Sequence, residues 1–137
     1  MLNPSSAMPS GIWTRAWWIP DAGPPGRALG VAVVTFHGNA GTMADRLEHT
    51  RLLHDLGASV LTAEYRGYGD SEGSPSEEGL AADARAALAA LRERAGPRGE
   101  RAIVHGRSLG GAVAVRLASD ESVDGLIVES TFTSLPE

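Results

Sequence analysis

The sequence predicts an α/β fold built on a doubly wound, mainly parallel β-sheet, and two observations support this class. Short apolar runs rich in β-branched residues alternate with longer segments of helical periodicity, as in sheets whose parallel strands are joined by right-handed crossover helices. The runs are apolar throughout, which indicates strands covered on both faces. The length of 137 residues fits one domain. We place it at residues 11–137, after a disordered lead-in at residues 1–10 that is rich in Pro and Ser.

Five segments are predicted to be strands. The first alternates weakly and ends at Pro20, which cannot donate a ladder hydrogen bond. Its neighbouring tryptophans favour packing on a sheet over the alternative of a membrane-interface belt. The other four are the continuous apolar runs. In chain order the strands are residues 14–19, 31–36, 59–63, 102–105 and 125–129.

Three segments are predicted to be helices from their terminal residues. Thr42 begins the first with a capping-box spacing to Asp45, and Gly57 ends it. Ser76 caps the second, which Gly96 and Pro97 end. The third covers residues 109–118 and is apolar nearly all round, which predicts a helix sandwiched between other layers.

Composition excludes several classes of protein. The formal net charge of −5 argues against a nucleic-acid-binding protein, which would carry a basic face. The absence of Cys excludes disulfides, thiolate metal sites and cysteine nucleophiles. We expect no cofactor and no metal, because His49 and His54 lack the spacing of an H-E-x-x-H site. No apolar stretch is long enough for a transmembrane segment and no signal peptide is recognisable, so we expect the chain as given to be soluble. The compartment and the oligomeric state stay open.

The pattern G-x-S-x-G occurs twice, around Ser71 and around Ser108. A nucleophile elbow needs a strand that runs directly into the turn and a helix that starts at the serine. Only Ser108, between Gly106 and Gly110, has both. We therefore predict Ser108 to be a catalytic nucleophile, the alternative being a tight turn that needs glycines for close packing. For Ser71 the context favours a loop position.

A second glycine-rich segment, residues 37–41, follows the first apolar strand directly. Acyl transfer develops negative charge on the substrate oxygen, which two backbone N–H groups stabilise in an oxyanion hole. We expect these donors to be Asn39 and Leu109. The remaining candidate site residues shape the supporting loop and turn and are His37, Gly38, Gly41, Gly106 and Gly110. For His37 and His105 a structural role is favoured over that of catalytic base.

These motifs, together with Glu64 to Gly73 and Glu129 to Phe132, resemble the α/β-hydrolase superfamily over residues 13–136. More narrowly, the chain is similar to the α/β-hydrolase domain-containing protein 13 type, which is related to acyl-protein thioesterase-like and serine aminopeptidase-like hydrolases. The resemblance implies a sheet of the α/β-hydrolase type, truncated after the strand that follows the nucleophile helix, so that residues 11–137 are a partial domain. It also implies an acid and a histidine later in the chain than Ser108. Glu129 is a weaker candidate for the acid.

The resemblance implies a serine hydrolase of esters or thioesters, with peptide bonds as a further substrate class. Its substrate would be a small-molecule or lipid-like acyl compound. Relatives of this type often carry an N-terminal membrane anchor. We expect the chain as given to be inactive, because no histidine follows Ser108. A non-catalytic α/β-hydrolase-like module stays open as the alternative. A nucleotide-binding domain is disfavoured by the absence of G-x-G-x-x-G and P-loop motifs.

Overall fold

A mainly parallel sheet, as the sequence predicts, is the centre of the computed structural model, which describes residues 2–4, 15–20, 30–37, 47–66, 76–96 and 100–129. The six strands lie in the order β1-β2-β4-β3-β5-β6. β3 pairs in parallel with β4 and β5, and β5 pairs in parallel with β6. Beyond β4, the sheet continues with β2, which is antiparallel to β4, and then with β1, which is antiparallel to β2. The predicted fold class is therefore confirmed. The strands are β1 Leu2–Pro4, β2 Arg15–Ile19, β3 Val31–Phe36, β4 Ser59–Ala63, β5 Arg101–Arg107 and β6 Gly125–Glu129.

In the part of the chain that the structure describes, three helices connect the parallel strands, α1 Leu47–Asp55, α2 Glu77–Ala95 and α3 Leu109–Asp120. α2 begins as predicted, because the Ser76 hydroxyl accepts a hydrogen bond from the backbone N–H of Gly79 at 3.0 Å. The predicted cap of α1 at Thr42 lies outside the described residues. No helix in the described ranges is both long and apolar enough to cross a membrane.

The two faces of the sheet carry cores of different size. Alternate residues of β3, β4 and β5 pack with the apolar faces of α2 and α3 in the larger core, which includes Val34, Phe36, Leu61, Leu88 and Leu117. The other face is covered by α1 and holds a smaller core of Val33, Ala58 and Val60, against which Leu53 and Ile103 pack. Close to the small core lie buried polar groups, including a hydrogen bond of 2.7 Å between the hydroxyls of Thr50 and Thr62.

Two details differ from the sequence prediction. Leu2–Pro4, within the expected disordered lead-in, forms β1, whose register places Leu2 opposite Trp17. Pairing with β2 supplies backbone hydrogen bonds that the local sequence does not signal. The prediction of a sandwiched α3 is wrong, because Val115 is 43% exposed. α3 instead buries one side, formed by Gly110, Gly111, Val113, Ala114 and Leu117.

β6 is the edge strand of the described sheet. Its three central residues, Leu126, Ile127 and Val128, are each at least 40% exposed. An edge strand offers unpaired backbone groups as well as side chains. This strand therefore presents an apolar sheet edge.

Candidate active site

Ser108 lies on the turn between β5 and α3 with φ 56° and ψ −121°. Within the described ranges it is the single non-glycine residue with positive φ. A side chain in such a conformation costs about 1–3 kcal/mol and persists where the surroundings impose it. The strand runs to Arg107 and the helix starts at Leu109, so the serine occupies the sharp strand-to-helix turn that the sequence predicted.

Two glycines make this turn possible. A Cβ on Gly106 would lie 2.8 Å from the backbone nitrogen of Gly111 and closer still to the carbonyl oxygen of Gly110. A Cβ on Gly110 would lie 2.7 Å from the carbonyl oxygen of His37 and closer still to that of Phe36. All of these neighbours are backbone atoms, which cannot rotate away. Gly106 and Gly110 thus let β5, α3 and the end of β3 approach one another beneath Ser108.

Backbone hydrogen bonds fix Ser108 on both sides. Its N–H donates to the carbonyl oxygen of Glu129 at 3.0 Å, and its own carbonyl oxygen accepts from the N–H of Gly111 at 2.9 Å. Glu129 is the last residue of β6. The turn is therefore tied to the end of the neighbouring strand as well as to the first turn of its own helix.

His37 follows β3 directly and is 2% exposed. Its carbonyl oxygen accepts a hydrogen bond of 2.7 Å from the Tyr65 hydroxyl, and its ring lies 4.3 Å from the Tyr65 ring, centre to centre. Its Nε2 lies 3.6 Å from Glu64 Oε1. These contacts fix His37 at the end of β3, and its role in supporting the segment that follows stays a prediction.

His105 lies on β5, three residues before Ser108, and is buried between two neighbouring strands. Its Nδ1 is 2.7 Å from the Thr35 hydroxyl on β3, and its Nε2 is 2.8 Å from Glu129 Oε1 on β6. Both ring nitrogens thus have partners within the sheet. The hydrogen bond from His105 lowers the pKa of the Glu129 carboxyl, although partial burial opposes the shift.

An ion pair between Arg66 and Asp83 anchors the chain after β4. Asp83 accepts from the backbone N–H of Arg66 at 2.9 Å, and the Arg66 guanidinium donates to both oxygens of the same carboxylate. The side chains are only 10% and 3% exposed. This pair fixes the chain where it leaves β4.

Several predicted site residues can be placed and several cannot. Phe36 pairs with Gly106 in the parallel register, so the ends of β3 and β5 lie side by side. This neighbourhood brings together His37, Gly106, Ser108, Leu109 and Gly110. The predicted residues Gly38, Asn39 and Gly41 lie outside the described residues, as does Ser71.

Sequence reasoning missed Asp83 and His49. Asp83 lies among the buried residues of α2, and a charged residue next to the apolar positions Ala84 and Leu88 is the signal that could have identified it. The His49 ring stacks on that of His105 at 4.6 Å, centre to centre. No local sequence pattern predicts the contact between His49 and His105, because the two residues are far apart in sequence.

Comparison with known proteins agrees with this geometry. Residues 29–137 match the family profile described as serine aminopeptidase, S33. The chain is 43% identical over 131 residues to the α/β-hydrolase domain-containing protein WAV2 of Arabidopsis thaliana, covering 91% of this chain and 41% of that protein. It is 37% identical over 143 residues to lysophosphatidylserine lipase ABHD12 of Danio rerio, covering 95% of this chain and 36% of that protein. The chain spans less than half the length of these curated relatives.

A solved structure of similar fold is that of the Pyrococcus furiosus esterase Pf2001, with a TM-score of 0.81 and 21% sequence identity. The match covers 98% of this chain and 51% of the esterase. At this identity the likeness concerns the fold. Family membership is shown by the profile match and the two relatives. The chain belongs to the α/β-hydrolase superfamily, in the serine aminopeptidase S33 family.

Proposed function

We propose that Ser108 is the nucleophile of a serine hydrolase that acts on carboxylic esters or thioesters. The observation that carries this proposal is the backbone of Ser108, held at φ 56° on the turn from β5 to α3. Strained turns of this kind place a serine hydroxyl above the sheet, where a substrate can reach it. Ser108 is itself only partly buried.

In the proposed reaction the Ser108 Oγ attacks the acyl carbon of the substrate, and its proton passes to a histidine base. The tetrahedral intermediate collapses by breaking the C–O or C–S bond, and the alcohol or thiol leaves with that proton. Water then attacks the acyl-enzyme, which releases the carboxylic acid and restores the serine. Each turnover therefore consumes one ester or thioester and one water.

The backbone N–H groups of Leu109 and Asn39 are our candidates for the oxyanion hole. Leu109 is the first residue of α3, where a helical N–H has no acceptor within its own helix. The positive end of the helix dipole adds to the stabilisation of negative charge there. Asn39 follows two residues after His37, whose carbonyl oxygen lies against Gly110. Gly38 and Gly41 are the proposed supporting positions in this segment.

The acid and the histidine of the triad are proposed to come from later sequence of the whole protein. Both nitrogens of the His105 ring are engaged by Thr35 and Glu129, so this histidine is not placed to take a proton from Ser108. The Glu129 carboxylate is engaged in the same contact, which argues against Glu129 as the triad acid. The 137 residues alone would then have little turnover, since loss of the base removes most of the triad's effect.

A small-molecule or lipid-like acyl compound is the proposed substrate class. The relative from Danio rerio is named a lysophosphatidylserine lipase, and such a substrate carries a carboxylic ester. A thioester differs from a carboxylic ester in its leaving group, and Ser108 attacks the same acyl carbon in both. Comparing the two substrates therefore tests the leaving-group site separately from the nucleophile.

The test measures hydrolysis of a p-nitrophenyl ester and of a thioester with the same acyl chain. Two proteins are compared, the 137-residue chain and the protein with its native downstream sequence. We expect turnover by the longer protein, a loss of about 10⁶-fold in Ser108→Ala, and full activity in Ser71→Ala, the matched control at the other G-x-S-x-G. Activity that survives Ser108→Ala would contradict the proposal. A folded longer protein without any turnover would favour the non-catalytic module.

A further inference from the structure

Three potential ligand groups converge on the α1 side of the sheet. His49 from α1, His105 from β5 and Glu129 from β6 each bring one ligand atom to within 4.8 Å of the other two. His105 is fully buried, His49 partly buried, and the Glu129 side chain 43% exposed. The cluster is therefore anchored in the sheet and reachable from the Glu129 side. We propose that His49, His105 and Glu129 form a binding site for a divalent transition-metal ion of the Zn²⁺ class.

The ligand types support this class of ion. Two imidazoles and one carboxylate are a common zinc ligand set that leaves a fourth position for water. Mg²⁺ and Ca²⁺ prefer sites made of oxygen atoms, whereas imidazole favours Zn²⁺ and its neighbours in the first transition row. The chain contributes no thiolate, since it has no Cys.

The distance between the two rings suits a shared ion. The ring centres of His49 and His105 are 4.6 Å apart, with an angle of 22° between the planes. Two imidazoles that each place one nitrogen about 2.0–2.1 Å from the same ion have ring centres about 5 Å apart. This distance between ring centres suits two histidines on one metal. Because an imidazole nitrogen binds a metal in the plane of its ring, the His49 ring must turn out of the stack with His105 for both rings to reach the same ion.

Thr35 supplies the outer contact that a metal-binding histidine needs. Its hydroxyl lies 2.7 Å from Nδ1 of His105 and can accept a hydrogen bond from Nδ1–H, which fixes the ring and leaves Nε2 to bind the ion. Nε2 is 2.8 Å from Glu129 Oε1. The ion would replace the hydrogen bond between these two atoms, and the proton that they share would leave to solvent.

Binding would join three elements that meet beneath the serine turn. His49, His105 and Glu129 belong to α1, β5 and β6, and the carbonyl oxygen of Glu129 accepts the N–H of Ser108. A ligand that binds only the folded state raises stability by mass action. We therefore expect Zn²⁺ to stabilise the fold around the turn that carries Ser108. This site does not rest on the proposed function, because no part of it needs Ser108 to be a nucleophile.

The test is titration of the purified 137-residue chain with Zn²⁺ alone, followed by calorimetry and thermal unfolding, with Mg²⁺ as the ion control. We expect one Zn²⁺ per chain and a rise in melting temperature. His49→Phe keeps an aromatic ring against His105 without a ligand nitrogen, and Glu129→Gln keeps the side-chain volume without the charge. Both should abolish the effect. Thr35→Val should weaken binding about 10–100-fold, and His54→Gln, on the same helix as His49, should leave it unchanged.

Two results would overturn the proposal. One is the absence of saturable Zn²⁺ binding to the folded wild-type chain, and the other is unchanged binding in His49→Phe. Far-UV circular dichroism of each variant separates loss of the ligand from loss of the fold. As a second readout, Co²⁺ should give visible absorption bands of a four-coordinate site in the wild type and in Ser108→Ala. Bands that persist in His49→Phe would also count against the site.

Discussion

The backbone of Gly110, in the first turn of α3, lies directly against the carbonyl oxygen of Phe36, the last residue of β3. This contact brings the start of α3 against the end of β3, the strand that precedes the candidate oxyanion segment. Because β3 lies between β4 and β5 in the sheet, neither side of the contact can move without disturbing the central strands. The geometry of Ser108 therefore depends on the absence of a side chain at residue 110.

Gly110→Ala is expected to destabilise the fold by about 1–3 kcal/mol, because the new methyl group overpacks a site bounded by backbone atoms. Gly106→Ala should have a similar effect, since its Cβ would meet the backbone of Gly110 and Gly111. Urea unfolding followed by circular dichroism measures both. The matched control is Ser119→Ala, on the exposed last turn of the same helix. Equal stability of Gly110→Ala and the control would show that the contact is not tight.

Asp83→Asn is expected to cost about 3–5 kcal/mol, because it leaves the buried guanidinium of Arg66 without its counter-charge. The double substitution of Arg66→Met with Asp83→Leu should recover much of the loss, since it removes both charges together. Arg116→Gln provides the control, because Arg116 pairs with Glu77, Glu78 and Asp120 on an exposed surface and should matter little. Chemical unfolding compares the variants. A stability loss in Arg116→Gln as large as that in Asp83→Asn would contradict the expectation that the buried pair matters more than the exposed ones.

Ser76→Ala is expected to lower stability by about 1 kcal/mol, because the N–H of Gly79 loses the hydroxyl that caps α2. Ser76→Asp should retain the cap, since aspartate is an equally good acceptor at this position. Thermal unfolding of the two variants measures the difference. If Ser76→Asp lowers the stability as much as Ser76→Ala does, loss of the cap is not the cause of the destabilisation.

The apolar edge formed by Leu126, Ile127 and Val128 is expected to make the 137-residue chain self-associate at high concentration. Ile127→Lys should shift the chain toward monomer, because a charged edge residue opposes pairing with a second strand. Leu52→Lys removes an exposed apolar side chain from α1 instead of from the edge strand, and should change association less. Light scattering at increasing concentration measures the effect, and a wild-type chain that stays monomeric throughout would contradict it.

The four parallel strands could be predicted because each is a short apolar run that includes β-branched residues. Burial on both faces holds for the central strand β3 and for β4, whereas the middle of β6 is exposed. β1 could not be predicted, since its strand conformation depends on pairing with β2, in a register that places Asn3 opposite Ala16. The exposure of Val115 was also missed, because apolar composition alone does not say how many layers cover a helix.

For the site, the prediction of Ser108 depended on local order alone, a strand followed by a turn and a helix. The contacts that hold it are long-range. The hydrogen bond from Ser108 to Glu129 and the chain from Thr35 through His105 to Glu129 join three separate strands. The spacing of these residues in sequence carries no signal, because the contacts exist only once the sheet has formed.

The most direct measurement of the central claim is the position of a covalent adduct. The protein with its native downstream sequence is treated with a fluorophosphonate, which reacts with activated serines, and then cleaved with trypsin and analysed by mass spectrometry. Trypsin cuts after Arg107 and Arg116 and so releases residues 108–116, in which Ser108 is the only serine, whereas Ser71 lies in a separate peptide. We predict an adduct on residues 108–116 that is absent in Ser108→Ala. An adduct on the Ser71 peptide, or none on a folded protein, would contradict the assignment of Ser108 as the nucleophile.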